Sequence, residues 1–258
     1  MIVLKRDEAG GATLSLAAYA LFSGVMIALT AALPESEPVW VGKFSGAGDV
    51  PAPWRVVKIS NAPPTAYRLA IVSNESAIEA RVDSSMALLV RPVSVDLTRT
   101  PILCWRWLVT KIVAKGDIRK KGGNDFAARV YVAFDMPNSA LDGLTKMKLA
   151  VGRRMFGKDL PDAALTYIWD NRNPVGTRMR SPYTDRQQLI VAQTGEAKVG
   201  QWVAQRANVA ADFNQAFAGK PGHVVQVAVA SDGDNTKSSG RAGFADLHFI
   251  ARNQECRA

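Results

Sequence analysis

Histidine and cysteine are scarce: the chain carries two of each, His223 and His248, Cys104 and Cys256. Neither pair has the close spacing that zinc sites show, so zinc is disfavoured. A Ser-His-Asp triad would have to use His223, in a Pro-Gly-His loop, or His248, in a strand-like run. No Gly-x-Ser-x-Gly elbow is present to carry its nucleophile. Phosphate-binding loops are missing as well, since the glycine-rich stretch from Gly42 to Gly48 is followed by neither Lys-Ser/Thr nor a helical pattern. No internal repeat, low-complexity tract or dividing linker interrupts the sequence. Negative charge is in short supply too: 23 acidic residues face 32 Lys and Arg, a net charge of +9.

The excess positive charge clusters at Lys111, Lys115, Arg119, Lys120 and Lys121, and again at Lys146, Lys148, Arg153, Arg154 and Lys158. Such clusters steer polyanions. No aromatic-interleaved motif of the single-strand-binding kind accompanies them, so nucleic acid is not an expected partner. A glycan or another anionic envelope component fits better, and a merely solvated basic surface is the plain alternative.

Residues 1–33 differ from the rest. Lys5 and Arg6 precede a largely apolar run from Leu14 to Leu33, in which Thr30-Ala31-Ala32 suits signal peptidase and Pro34 then breaks the helix. We read residues 1–32 as a secretory signal peptide, with an uncleaved membrane anchor as the alternative. The expected location is periplasmic or secreted, with membrane attachment only if the segment is retained. Lys5, Arg6, Asp7 and Glu8 cancel, so the charge of +9 survives processing. Export permits a Cys104–Cys256 disulfide. One buried thiol and one thiol on a frayed end is the other reading.

Apolar residues make up 48% of the chain, enough for a sizeable core. Beyond residue 40 the pattern is of short alternating runs bounded by Gly, Pro, Asn and Asp. In Leu103 to Ile112, Leu103, Trp105, Trp107 and Val109 share a face that reads as core. From Asp125 to Asp135 the alternation is strict, with Phe126, Ala128, Val130, Val132 and Phe134 on one side and Asp125, Arg129, Tyr131 and Asp135 on the other. Pro92 marks an edge or a bend in the run Ala87 to Val95. Two helices are predicted. The first starts at Ser139 and Asp142 as a capping-box-like pair and stops at Gly157; the second runs from Val209 to Phe217 with Asn208 as N-cap and Gly219 and Pro221 beyond it. About ten strands and two short peripheral helices predict an all-β fold, an antiparallel jelly-roll-like β-sandwich forming a single domain over residues 40–251.

An ordered set of motifs runs through this region: Phe44, Trp54-Arg55, Tyr67-Arg68-Leu69, Cys104-Trp105-Arg106-Trp107, Asn124-Asp125-Phe126 through Phe134, Tyr167-Ile168-Trp169, Ser181-Pro182-Tyr183-Thr184, Arg206-Ala207-Asn208-Val209 with Asp212-Phe213, and Ser231-Asp232-Gly233-Asp234-Asn235-Thr236. Together they resemble the bacterial family called domain of unknown function 3047, over roughly residues 40 to 250. The resemblance implies an exported, β-rich protein and no established activity. The chain departs from that pattern at Gly243-Phe244-Ala245-Asp246, where Tyr-Gly-Asp is expected.

Two constellations carry candidate chemistry. Asp232, Asp234 and Asn235 follow the apolar run Val224 to Ala230, which delivers oxygen ligands to a sheet rim. Hard cations such as calcium want several oxygens. Asp246 on the next strand is the candidate that completes a set with Asp232 and Asp234. The EF-hand pattern fails, having no glycine at its sixth position and Gly243 where the closing glutamate would stand. An Asp/Asn/Gly turn bonded to its own backbone is the plain reading. On the second surface, Asp125, Arg129 and Tyr131 project together, offering a carboxylate, a guanidinium and a phenol as a sugar-binding face would; a buried Asp125–Arg129 ion pair is the structural alternative. Tyr167 and Trp169 alternate likewise, and Trp169 joins the candidate contacts. No cofactor is expected, calcium excepted. The leading expectation is an exported β-sandwich binding a carbohydrate-type ligand non-covalently. A polysaccharide hydrolase or lyase on the same face, drawing on carboxylates such as Asp125, Asp170, Asp232 and Asp234, is one alternative. A structural or assembly protein of the cell envelope is the other.

Overall fold

A computed structural model describes residues 36–58, 61–137, 139, 141–156, 161–218 and 221–258. The expected signal peptide or anchor lies outside those residues, as do Gly157 and Gly219, the expected helix stops. The strands, in chain order, are β1 (Val39–Gly42), β2 (Arg55–Val57), β3 (Ala66–Val72), β4 (Glu75–Asp83), β5 (Leu88–Val95), β6 (Ile102–Val109), β7 (Arg129–Asp135), β8 (Ala163–Asp170), β9 (Arg178–Ser181), β10 (Thr184–Thr194), β11 (Val203–Asn208), β12 (His223–Ala230) and β13 (Ser239–Ile250). The helices are α1 (Gly143–Phe156) and α2 (Val209–Phe217).

Two sheets result. One runs β11-β6-β13-β4-β3, with β1 also paired to β13; the other runs β2-β5-β12-β7-β8-β10-β9. From β4 to β7 the chain changes sheet at every strand, and from β11 to β13 it does so again, the alternation of a jelly roll. All pairings are antiparallel except β8 with β10, which run parallel with β9 on the outer edge of β10. β1 and β9, four residues each, were not predicted. Pro92 stands past the last residue of β5 that pairs with the three-residue β2, so on that side the ladder has already ended.

A single large core joins the sheets. Leu103, Trp105, Trp107 and Val109 enter it from β6, as their alternation predicts, and Val130, Val132 and Phe134 enter from β7. Across the layers Trp105 meets Tyr167 at 5.2 Å and Trp107 meets Trp169 at 5.8 Å between ring centroids. The predicted strict alternation from Asp125 holds only from Ala128 onward, because the ladder begins at Arg129. Before it the chain kinks, and Phe126 joins Ile118, Ile168, Leu189 and Val191 in a separate cluster.

Asn208 caps α2 as expected, its Oδ1 accepting from the Ala211 N–H at 3.1 Å. Ala218 supplies the left-handed turn that ends it. At α1 the cap is Asp142, not Ser139: Asp142 Oδ1 accepts from the Thr145 N–H at 2.7 Å, and its other oxygen from the Thr145 hydroxyl at 3.0 Å. Where the chain departs from the family pattern, β13 bulges between Ala245 and His248, and Asp246 takes φ of 54°.

Cys104 and Cys256 are joined by a disulfide with Cα atoms 5.7 Å apart. The tail beyond β13 is therefore fastened to the middle of β6, not frayed. Gln254 accepts from the Ala251 N–H and donates to the Ser36 carbonyl. His248 stacks on Trp40, with ring centroids 4.4 Å apart, and its Nε2 accepts from the Arg257 N–H at 3.0 Å. Burial holds the His248 pKa below its ordinary value, partly opposed by the Asp246 carbonyl. The unfolded chain therefore takes up the proton first. This contact stabilises fully above about pH 6.5 and is lost as pH falls below that value. We expect the Arg257 amide to lose hydrogen-exchange protection between about pH 7.5 and pH 5; unchanged protection across that range would contradict the assignment.

Candidate functional site

The outer face of the seven-stranded sheet carries a cleft of about 570 Å³, within the usual range for small-molecule sites. Alternation places its floor. The odd positions of β7 that face away from the core, Arg129, Tyr131 and Ala133, lie beside Gln226 and Ala228 of β12, Leu88 and Val90 of β5 and Ala164 of β8. Thr145 and Leu149 of α1 border the cleft, and the turn into β10, Tyr183 to Gln187, forms another side.

The polar end of the cleft is built by strand register. Ala230 pairs with Arg129 at the end of the β12–β7 ladder. Two residues further on, Asp232 therefore arrives beside the Arg129 side chain. Arg129 Nε donates to Asp232 Oδ1 at 2.7 Å, and its Nη2 donates to Asp232 Oδ2 and to the Asn124 carbonyl. The Phe126 N–H also donates to Asp232 Oδ1, at 3.2 Å. Both partners are buried. Burial raises the Asp232 pKa above the usual carboxylate range against the pull of Arg129. Burial alone would lower Arg129, but the facing Asp232 raises it and keeps the guanidinium charged. Tyr131 is pushed up to about 12 by burial, against the pull of Arg129. It therefore stays a neutral phenol.

The loop after Asp232 folds onto Asp125. Thr236 donates to Asp125 Oδ2 from its N–H at 2.6 Å and from its hydroxyl at 2.7 Å; Asn235 Nδ2 donates to Asp125 Oδ1 at 2.8 Å. Ser238 closes the loop on the Gly233 carbonyl at 3.0 Å. Glycine is required there, because a Cβ on Gly233 would lie 2.4 Å from the Ser238 carbonyl oxygen. Asp234 is half-buried at the rim, and burial, then the Asp125 carboxylate, raises its pKa.

Asp125, Arg129, Tyr131, Asp232, Asp234 and Asn235 are thus brought to one end of one cleft or directly behind it. Two expected contacts are not. Trp169 lies in the core between the sheets, its Nε1 donating to the Gly195 carbonyl at 3.0 Å. β8 is buried on both faces and carries no charged residue before Asp170 to mark the outer one, so its alternation gives no signal of direction. Asp246 sits in the other sheet and pairs with Arg106 at 2.5 Å. The carboxylates that do gather are Asp125, Asp232 and Asp234, with ligand oxygens within 4.8 Å of one another. That trio suits calcium poorly. Arg129 already neutralises Asp232, and Asp125 spends both oxygens on Thr236 and Asn235. The expected alternative of an Asp125–Arg129 pair is also corrected, since Arg129 pairs with Asp232. Asp170 caps its own loop through the Arg172 and Asn173 amides, and Tyr167 is bound in the core to Asp212 at 2.7 Å. Neither lines the cleft, and neither do His223 and His248.

Sequence reasoning passed over Asn124 and Tyr183. Asn124 borders the cleft, and its buried Oδ1 has no hydrogen-bond partner among the described residues. Tyr183, 53% exposed, donates from its hydroxyl to the Lys121 carbonyl at 3.0 Å and reaches Asn235 Oδ1 at 3.5 Å. Both fall within the ordered motif set, as Asn124-Asp125 and Ser181-Pro182-Tyr183-Thr184, which was the signal available for them.

Comparison with known proteins adds one firm finding. A family model described as "Protein of unknown function (DUF3047)" matches residues 52–248. No curated protein matches the chain. Among solved structures, a family 30 carbohydrate-binding module of a cellulosomal cellulase from Clostridium thermocellum aligns at 10% identity with a TM-score of 0.35. The alignment covers 85% of this chain and 96% of that one. A likeness that loose carries no argument about ligand or residues.

Proposed function

This chain belongs to the DUF3047 family, whose function is unknown, and from its own cleft we propose that it is an exported protein that binds a carbohydrate-type ligand without transforming it. The observation that supports this most is the composition of the cleft's polar end. Asn124 Oδ1 has hydrogen-bonding capacity unspent, Asp234 and Asn235 stand at the rim, and the Tyr131 and Tyr183 rings lie alongside. A sugar presents hydroxyls to amides and carboxyls while its C–H faces rest on aromatic rings. The Cys104–Cys256 disulfide supports an oxidising compartment such as the periplasm or the exterior. Asp125 and Asp232 act as fasteners of the end wall, with their oxygens committed to neighbours, which favours binding over acid–base turnover.

Glycan-array binding of the full chain tests the proposal, with Asp234→Asn and Tyr183→Ala as probes because both side chains reach solvent outside the buried pair. Each substitution should weaken binding about tenfold, the equivalent of roughly 1.4 kcal/mol. Binding untouched by either would place the ligand elsewhere, and an array without signal would overturn the reading. Cleavage of a bound glycan would replace it with the hydrolase or lyase alternative.

A further inference from the structure

The rest of the cleft is of a different character from its polar end. On a sheet with one face in the core, the other face ordinarily alternates to polar residues. Here, beside Gln226, the outward positions next to the site are Leu88, Val90, Ala133, Ala164 and Ala228, from four neighbouring strands. All but Leu88 are buried. Nothing in the second sheet covers them. α1 borders them, with Leu149 buried at the cleft. Small side chains on the floor leave the space above them unfilled by protein. Gln226 and Gln187 are polar side chains at its sides, but against the alanine and valine surface itself a sugar hydroxyl would lose water without finding a partner.

Resting on the binding function proposed above, we propose that the apolar part of the cleft receives an alkyl or acyl chain, so that the ligand class is an amphiphile with a polyhydroxyl head. The head lies at Asn124, Asp234 and Asn235, and the chain runs across Ala133 and Ala228 beside Leu149. The continuity of the two surfaces within one cleft carries this assignment: Tyr131 stands between them, its ring beside Val90 and Ala228 and its residue next in register to the Arg129 end.

Titration calorimetry of the full chain with glucose and with hexyl, octyl and decyl glucoside, each below its micelle concentration, tests the proposal, with the matched 1-alkanols as headless controls. Each added methylene should tighten binding about threefold to fourfold, the ratio expected for burying one CH₂. Ala228→Leu, which fills the floor, should abolish the dependence on chain length. An unchanged melting temperature in that variant controls for misfolding. Glucose and the glucosides binding equally would overturn the chain site and leave the sugar reading intact. Alkanols binding as tightly as glucosides would overturn the sugar head and uphold the chain site. Absence of binding by the glucosides and the alkanols alike would overturn the chain site.

Discussion

An Arg129→Met variant is expected to lose about 3–5 kcal/mol of stability, because it leaves Asp232 buried without its counter-charge. That is a large share of the roughly 5–15 kcal/mol that holds a typical domain folded. The loss should also depend on pH in a direction that identifies its cause. Burial already raises the Asp232 pKa, and Arg129 is the main force pulling it down. With the arginine gone, the folded protein holds a proton on Asp232 that the unfolded chain releases near the ordinary aspartate value of about 3.9. The variant should therefore be least affected in mild acid and lose up to about 1.4 kcal/mol per pH unit as pH rises toward the new folded pKa. Urea denaturation at several pH values reads both the size and the slope. An Arg129→Met/Asp232→Leu double variant should recover much of the loss, since an apolar pair of similar volume replaces an ion pair at little net cost. A single variant within about 1 kcal/mol of the parent would show that the pair is not the fastener described here.

The second large effect belongs to the disulfide. Cys104 and Cys256 close a loop with a sequence separation of 152, and removing such a crosslink costs about 2–4 kcal/mol, chiefly by freeing the unfolded chain. Replacing both cysteines with alanine should lower the melting temperature on the order of 10 °C for a protein of this size. Alanine is preferred to serine at Cys104, which packs between Ile102 and Ile250 and offers a hydroxyl no partner. The tail should loosen first, visible as lost protection at Arg257 while the β12–β7 ladder stays protected. A melting temperature unchanged by reduction would mean the bond contributes nothing to this fold.

Much of the architecture was legible because residue type marks the two faces of a strand even where both are covered. β6 and β7 are buried along almost their whole length, yet Arg106 on one and Arg129 on the other mark the face turned from the core, so Leu103 to Val109 and β7 from Ala128 onward declare their inward faces. β8 is buried throughout as well, but no charged residue before Asp170 marks its outer face, so the sequence does not separate Trp169 from Ile168, and the expected ligand contact Trp169 belongs to the core. The parallel pairing of β8 with β10 left no trace either, since a short apolar run does not state its neighbour. In the candidate site, the residue types at Asp125, Arg129, Asp232 and Asp234 were readable, but their partners were not. Arg129 and Asp232 are separated by 103 positions, and only the β12–β7 register brings them together. Asp246 was grouped with the wrong carboxylates for the same reason: it follows Asp232 closely in sequence and lies in the opposite sheet.

The position of β13 has a consequence for how the molecule comes into being. β13 lies at the heart of its sheet, paired along its length with β6 on one side and, in succession, with β4 and β1 on the other. Residues 239–250 are thus the keystone of strands that emerge from the ribosome long before them. Until they emerge, β4 and β6 each present an open edge, the kind of surface on which other chains nucleate. A chain threaded N-terminus first therefore travels most of its length with its first sheet split in two, and needs shelter from its neighbours until the last strand slots in.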